Sequence, residues 1–245
     1  MAAVAGEDWR DGRAYARFLP GDRRCFAWEW LRRSPAYVDA YTGEMAPAAF
    51  GLLRFENPAL DALAARPFWH ADADHGVLRA EAHTAGSRDL FALKGLDHLS
   101  SFLTNEGEHI LFSDGLHSIR LDMLSGSLAA GPVSLCWRID GIANASPKIL
   151  ALRQFVALAR SGGFAGSLHR PERRARRWVE MLRTHDALAA GATHREIAAA
   201  LFGVDVTGPR WRLSAGPWRL RVQRLAAGAR ACLALDPHGW LERGG

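Results

Sequence analysis

The chain has 245 residues, about half of them apolar and a quarter charged, enough to bury a sizeable core in one large domain or two modest ones. No apolar run approaches the ~20 residues that cross a bilayer, and MAAVAGEDWRD has neither the basic nor the apolar region of an export signal, so a cytoplasmic protein without a membrane partner is expected. The net charge of +5 is unevenly spread: residues 1–147 carry 14 Lys+Arg against 19 Asp+Glu, whereas residues 148–245 carry 17 against 7, an asymmetry that points to a polyanionic partner for the second part.

Residues 8–42 predict short helices. Asp8 caps the first, which runs over Trp9–Leu19 and stops at Pro20-Gly21; Asp22 caps the second, with Cys25, Phe26, Trp28, Trp30 and Leu31 at helical spacing. Trp28-Glu29-Trp30 reads as core packing rather than a base-stacking platform. Ser34-Pro35 ends that helix and opens a third bearing Tyr37, Val38 and Tyr41. Residues 43–76 read as irregular, punctuated by Pro47, Pro58 and Pro67, with one helical turn at 59–65.

Residues 77–140 alternate in the period of a strand. Val133, Leu135, Trp137 and Ile139 interleave with Ser134, Cys136, Arg138 and Asp140, and Ile119, Leu121 and Met123 do the same around Arg120 and Asp122. Asp114-Gly115 between two apolar runs is a hairpin signal, and a small antiparallel sheet of four or five strands is expected. Residues 148–160 predict a helix burying Ile149, Leu152, Phe155, Val156 and Ala159. Three glycines within Ser161–Ser167 read as a linker, dividing the chain into 1–160, 161–167 and 168–245. The overall class is α+β, ending in a three-helix, helix-turn-helix-like unit.

In that unit, Pro171 and Glu172 open a helix reaching about Ala190, with Arg173, Arg176 and Arg177 crowded near its start. Arginines there oppose the helix dipole, a cost that an external anion offsets. Thr193 and Glu196 form a capping box for a short alanine-rich helix that contains Arg195 and ends at Gly203. A third helix is expected from Pro217, capped by Ser214 or Gly216, with Trp218, Val222 and Leu225 inward and Arg219, Arg221, Gln223 and Arg224 outward. Arg210 and Arg212 precede it. Arg reads guanine, Gln suits adenine, and any Arg holds a phosphate. Arg219, Gln223 and Arg224 are the expected groove readers; Arg173, Arg176, Arg177, Arg195 and Arg212 are the expected backbone clamps.

LRTHDALAAGATHREIAAALFG (182–203) with WRLSAGPWRLRVQRLAAGAR (211–230) resembles the RovC-like DNA-binding domain, named after a transcription factor controlling a type VI secretion system. DWRDGRAYARFLPGDRRCFAWEWLRRSPAYVDAY (8–41) resembles the transcriptional-regulator-like domain that accompanies it, and PFWHADAD (67–74) and GPVSLCWRIDG (131–141) are also similar to this family. The family's Gly-Tyr-Arg-like ending is represented only by Pro237-His238-Gly239-Trp240-Leu241. The resemblance implies a bacterial, oligomeric DNA-binding regulator. The expected protein acts on double-stranded DNA by recruiting or excluding RNA polymerase, is not an enzyme and uses no cofactor.

Two other classes compete. His70-Ala71-Asp72-Ala73-Asp74-His75 has a spacing similar to the HxHxDH metal site of metallo-hydrolases, although Asp72 stands where that motif has its second histidine. A protein-interaction module would use the same arginines on an acidic partner. Cys25, Cys136 and Cys232 are too dispersed for a zinc ribbon or a disulfide framework, and no phosphate-loop, dinucleotide or elbow-serine motif is present.

Overall fold

The computed structural model describes residues 8–84, 89–93, 96, 99–105, 107–207 and 211–242. Side chains at 211–215, 237, 238 and 242 lie outside that description, as does Arg210.

Helices α1 (Gly12–Ala16), α2 (Arg23–Leu31) and α3 (Pro35–Tyr41) open the fold. Asp22 accepts hydrogen bonds from Arg24 and Cys25 amides and so starts α2, as its position predicts. The first helix is shorter than expected: Asp11, not Asp8, accepts the Arg13 amide, and only 12–16 are helical. α2 is buried nearly all round, Trp28, Glu29 and Trp30 included, which places it at the centre of a core rather than on its surface.

Five strands follow: β1 (Leu78–His83), β2 (Leu99–Thr104), β3 (Gly107–Ser113), β4 (Ser118–Ser125) and β5 (Ser134–Arg138), ordered β2-β3-β4-β1-β5. The expected hairpin at Asp114-Gly115 joins β3 to β4, with Gly115 at φ 91 against the Leu63 backbone. The sheet is mixed rather than wholly antiparallel, because β1 lies parallel to β4 and antiparallel to β5. A parallel neighbour needs a crossover, and the chain between β1 and β4 supplies it by carrying the β2–β3 hairpin before it returns as β4.

α4 (Ala145–Ser161) packs on the sheet through Ala151, Phe155 and Leu158. Its phase differs from expectation: Ile149 and Val156 are 50% and 38% exposed, while Gln154 is buried. An apolar face this wide leaves the phase open, and here the Gln154 Nε2 donates to the Leu168 carbonyl at 2.9 Å, which turns that side inward. In the following connection, Gly162 caps α4 at φ 73 and Phe164 packs against the rings of His117 and His169.

α5 (Ala175–Ala189), α6 (His194–Phe202), α7 (Trp211–Leu233) and α8 (Pro237–Glu242) complete the chain. α7 begins six residues before Pro217 and runs through it, so the expected breaker lies inside the helix and the link from Gly203 is correspondingly shorter. α8 is a helix that the sequence pattern does not announce.

The core is double. One cluster unites α1–α3 with α5–α8: Phe26 meets Trp178 edge-on at 5.2 Å, and Trp30 stacks on Trp240 at 6.0 Å. The other holds the sheet and α4, where Phe155 contacts Phe91, Phe112 and Trp137. The helical cluster also contains a buried ionic knot. Arg33 donates to both oxygens of Asp186, each at 2.8 Å, and to Glu29 at 2.5 Å; Tyr15 donates to Asp186 at 2.5 Å.

Candidate nucleic-acid interface

α5, α6 and α7 pack around Trp178, Val179, Leu182, Ile197, Ala198, Val222, Leu225 and Ala229. The capping box is formed: the Thr193 side chain accepts from the Glu196 amide, and the Glu196 carboxylate accepts from the Thr193 amide. It starts α6 at its expected residue, and Gly203 at φ 63 ends it. Phe202 then stacks on Trp218 at 5.4 Å, fixing the end of α6 against the first half of α7. Trp218 is therefore half-buried between helices rather than deep in the core.

α5 and α7 run antiparallel. Met181 packs on Gly228, where an added Cβ would lie 3.2 Å from its sulfur. Burial pushes the Cys232 thiol up to about 11, with the nearby Arg177 charge opposing that rise. The arginines at the start of α5 thus sit beside the end of α7, ~20 Å along the axis from Arg219 at 1.5 Å per residue.

Val222, Leu225, Ala226, Ala229 and Cys232 form the buried stripe of α7. At 100° per residue, Arg219, Gln223 and Arg230 share an exposed stripe, and Arg224 stands beside exposed Leu220 further round. Arg230 belongs to this group although its sequence surroundings, Ala227-Gly228-Ala229, draw no attention to it; the +4, +7 spacing from Arg219 and Gln223 is the available signal. The Arg219–Arg230 stripe is ~16 Å long, comparable with the ~12 Å width of a major groove. Arg173, Arg176 and Arg177 are exposed, and together with Arg219, Arg224 and Arg230 they make no side-chain hydrogen bond or ion pair among the described residues.

Two of the expected DNA-binding side chains have internal partners. The Arg221 guanidinium lies 3.9 Å from the Phe202 ring centre and reaches Glu180 at 3.4 Å, bridging all three helices. Arg195 donates to the Val206 carbonyl and holds the α6–α7 link. Arg212 lies in the first turn of α7.

The acidic groups of this region are also engaged. Glu172 accepts from Arg23 at 3.0 Å, Asp186 from Arg33, Glu180 from Arg221, and Glu196 from the capping box. Asp205 accepts from Thr207, and Asp236 from the Gly239 amide. The arginines that meet Glu172 and Asp186 come from the acidic first part of the chain. The seam between the two parts therefore consumes acids of the basic half and leaves its exposed arginines less neutralised.

The His70–His75 segment is arranged otherwise than a metal site. Asp74 accepts two bonds from Arg24, at 2.5 and 2.9 Å, and one from the Gly76 amide. Burial raises the Asp74 carboxyl, but the paired Arg24 overrides this and holds it below the usual carboxylate range. His70 Nδ1 accepts from the Asp72 amide at 3.2 Å. Among the described residues, no group of three His, Cys, Asp or Glu side chains is placed to hold a metal ion. No described helix is long and apolar enough to cross a membrane.

Residues 143–236 match the family model described as the DNA-binding domain of a type VI secretion system transcription factor, the RovC DNA-binding domain. Residues 8–66 match that of the proteobacterial transcriptional regulator-like domain. No curated protein and no solved structure matches the chain. The first match begins ahead of α4, so it spans a helix of the sheet core as well as α5–α7. Together the two matches indicate a transcriptional regulator with a DNA-binding domain similar to that of the RovC family.

Proposed function

We propose that the protein binds specific sequences in double-stranded DNA through α5–α7, in a helix-turn-helix-like manner, with α7 in the major groove. The observation that carries this reading is the exposed Arg219–Gln223–Arg230 stripe on α7, which flanks the buried stripe that anchors the helix. Arg219 and Arg224 read guanine edges and Gln223 reads adenine. Arg173, Arg176 and Arg177, at the far end of the same face-forming pair of helices, hold phosphates and set the register. Arg221 and Arg195 act as internal braces, so their contribution to DNA binding is indirect.

One such unit meets one half-site, and we read the active form as a homo-oligomer spanning half-sites about one helical turn apart. Occupancy of a promoter then recruits or excludes RNA polymerase.

The test is a mobility-shift titration on duplex fragments recovered with the protein from cells. Arg219→Ala with Arg224→Ala weakens binding at least tenfold and relaxes sequence preference. Arg176→Ala with Arg177→Ala weakens all duplexes alike and lowers the log–log salt slope by about one for each phosphate no longer held. Unchanged affinity in both variants, or a flat salt dependence of the parent, overturns the reading.

A further inference from the structure

The outer face of α4 mixes apolar and basic side chains. Ile149 is 50% exposed and Val156 38%, and Arg153 and Arg160 are exposed alongside them. At 100° per residue the four lie within about 60° of one another, in a stripe ~16 Å long. That stripe faces away from Ala151, Phe155 and Leu158, which bury the other side of the helix on the sheet. α4 contains no Asp or Glu, and neither Arg153 nor Arg160 makes a side-chain hydrogen bond or ion pair among the described residues.

A second patch has the complementary charge. Asp39, Tyr41, Glu44 and Met45 are exposed at the end of α3 and in the turn after it. Among the described side chains, Asp39 and Glu44 are the two carboxylates that meet no hydrogen-bond donor and no cation. The others are taken up as helix caps, turn acceptors or ion pairs. Asp39 stands in the last turn of α3, where a carboxylate opposes the helix dipole, so helix stability does not account for it.

Burial of apolar surface drives association, and the charges around it select the partner. DNA suits the α4 stripe poorly, because Ile149 and Val156 gain nothing against phosphates. α4 of a second copy suits it no better, since that pairing gathers four arginines with no acid on either helix. The Asp39–Met45 patch meets both needs: two carboxylates for the two guanidinium groups, and Tyr41 and Met45 for the two aliphatic side chains.

We propose that α4 of one copy docks on the Asp39–Met45 patch of another. Arg153 and Arg160 pair with Asp39 and Glu44, and Ile149 and Val156 pack on Tyr41 and Met45. The two surfaces differ, so the contact is made twice across a two-fold axis or once per neighbour around a ring. It gives the homo-oligomer proposed above its surface and rests on that part of the reading alone. Neither patch contains a side chain assigned to DNA, so the contact leaves the exposed stripe of α7 open.

The experiment is sedimentation velocity of the full chain, without DNA, at rising protein concentration. The parent self-associates. Arg153→Glu with Arg160→Glu, and separately Asp39→Arg with Glu44→Arg, each raise the dissociation constant at least tenfold with an unchanged circular dichroism spectrum. Each variant sets like charge against like. Mixed in equal amounts the two associate again, because the acidic α4 of one meets the basic patch of the other and the unaltered surfaces meet as in the parent. A monomeric parent overturns the contact together with the homo-oligomer. Variants that associate as well as the parent, or that stay apart when mixed, overturn the contact and leave the homo-oligomer to another surface. The DNA reading is untouched by either result, since the samples contain none.

Discussion

The two cores of this protein are built in opposite ways. The sheet and α4 come from one continuous stretch, Leu78 to Leu158, and pack mostly against their neighbours along the chain. The helical core joins Trp9–Trp69 to Ala175–Trp240 across more than a hundred intervening residues. Their polar interiors differ accordingly. In the sheet, Arg120 bonds to Asp122 on its own strand and to the carbonyl of Ile110 on the adjacent one. In the helical core, Arg33, just past the end of α2, is paired with Asp186 of α5, and Glu29 takes the Ala62 amide as well as Arg32 and Arg33. A buried ion pair adds little net stability over an apolar replacement, yet it penalises any docking that leaves one member alone. The lesson is that the distant halves are matched by charge where proximity in sequence cannot match them.

The largest expected effect comes from breaking that match. Asp186→Ala leaves the Tyr15 hydroxyl and the Arg33 Nε and Nη2 donors without an acceptor in the core and costs about 3–5 kcal/mol in denaturant unfolding followed by circular dichroism. Proteolytic cleavage near Arg13 rises together with cleavage in α5; loosening of α5 alone would contradict a shared core. Phe155→Ala tests the other side, removing the ring that meets Phe91, Phe112 and Trp137 at a cost of about 3 kcal/mol. Amide protection falls in β1, β4 and β5 while DNA affinity stays within twofold; a collapse of DNA binding would show that the cores are not separable.

The smallest effect concerns the junction, where His117 and His169 lie 5.0 Å apart. Burial, then the His117 and Arg24 charges, lower His169 from 6.5 to about 4. Because its folded value lies below the unfolded one, His169 contributes stability above pH 6.5 that is lost as pH falls toward 4. His117 runs the other way: Asp114 raises it against burial, so its contribution holds below 6.5 and fades at higher pH. His169→Phe therefore reduces the acid loss between pH 6.5 and 4 by on the order of 1 kcal/mol. An equal loss in parent and variant would remove His169 from the junction's pH response.

Local chemistry was the legible part of the sequence. Asp22, the Thr193/Glu196 box, Asp114-Gly115 and the Val133–Asp140 alternation each act within a few residues, and each shapes the element it signals. What depended on distant partners was hidden. The phase of α4 is set by a carbonyl at Leu168, and the parallel β1–β4 pairing by a long crossover. Pro217 reads as a helix start but lies within α7. At the candidate interface the arginine-rich helices were visible, while the division into free and braced side chains was not, because it depends on Phe202, Glu180 and Val206 meeting across the three helices.

The double core also dictates an order of events during synthesis. The sheet and α4 have their partners once residue 168 has emerged. α2 must wait for Trp178 and Trp240, roughly 150 to 210 residues later, and at ~5–20 residues per second that is on the order of ten seconds or more. Through that interval Phe26, Trp28 and Trp30 are exposed beside a finished sheet, which makes the nascent chain, rather than the mature protein, the form most in need of a chaperone.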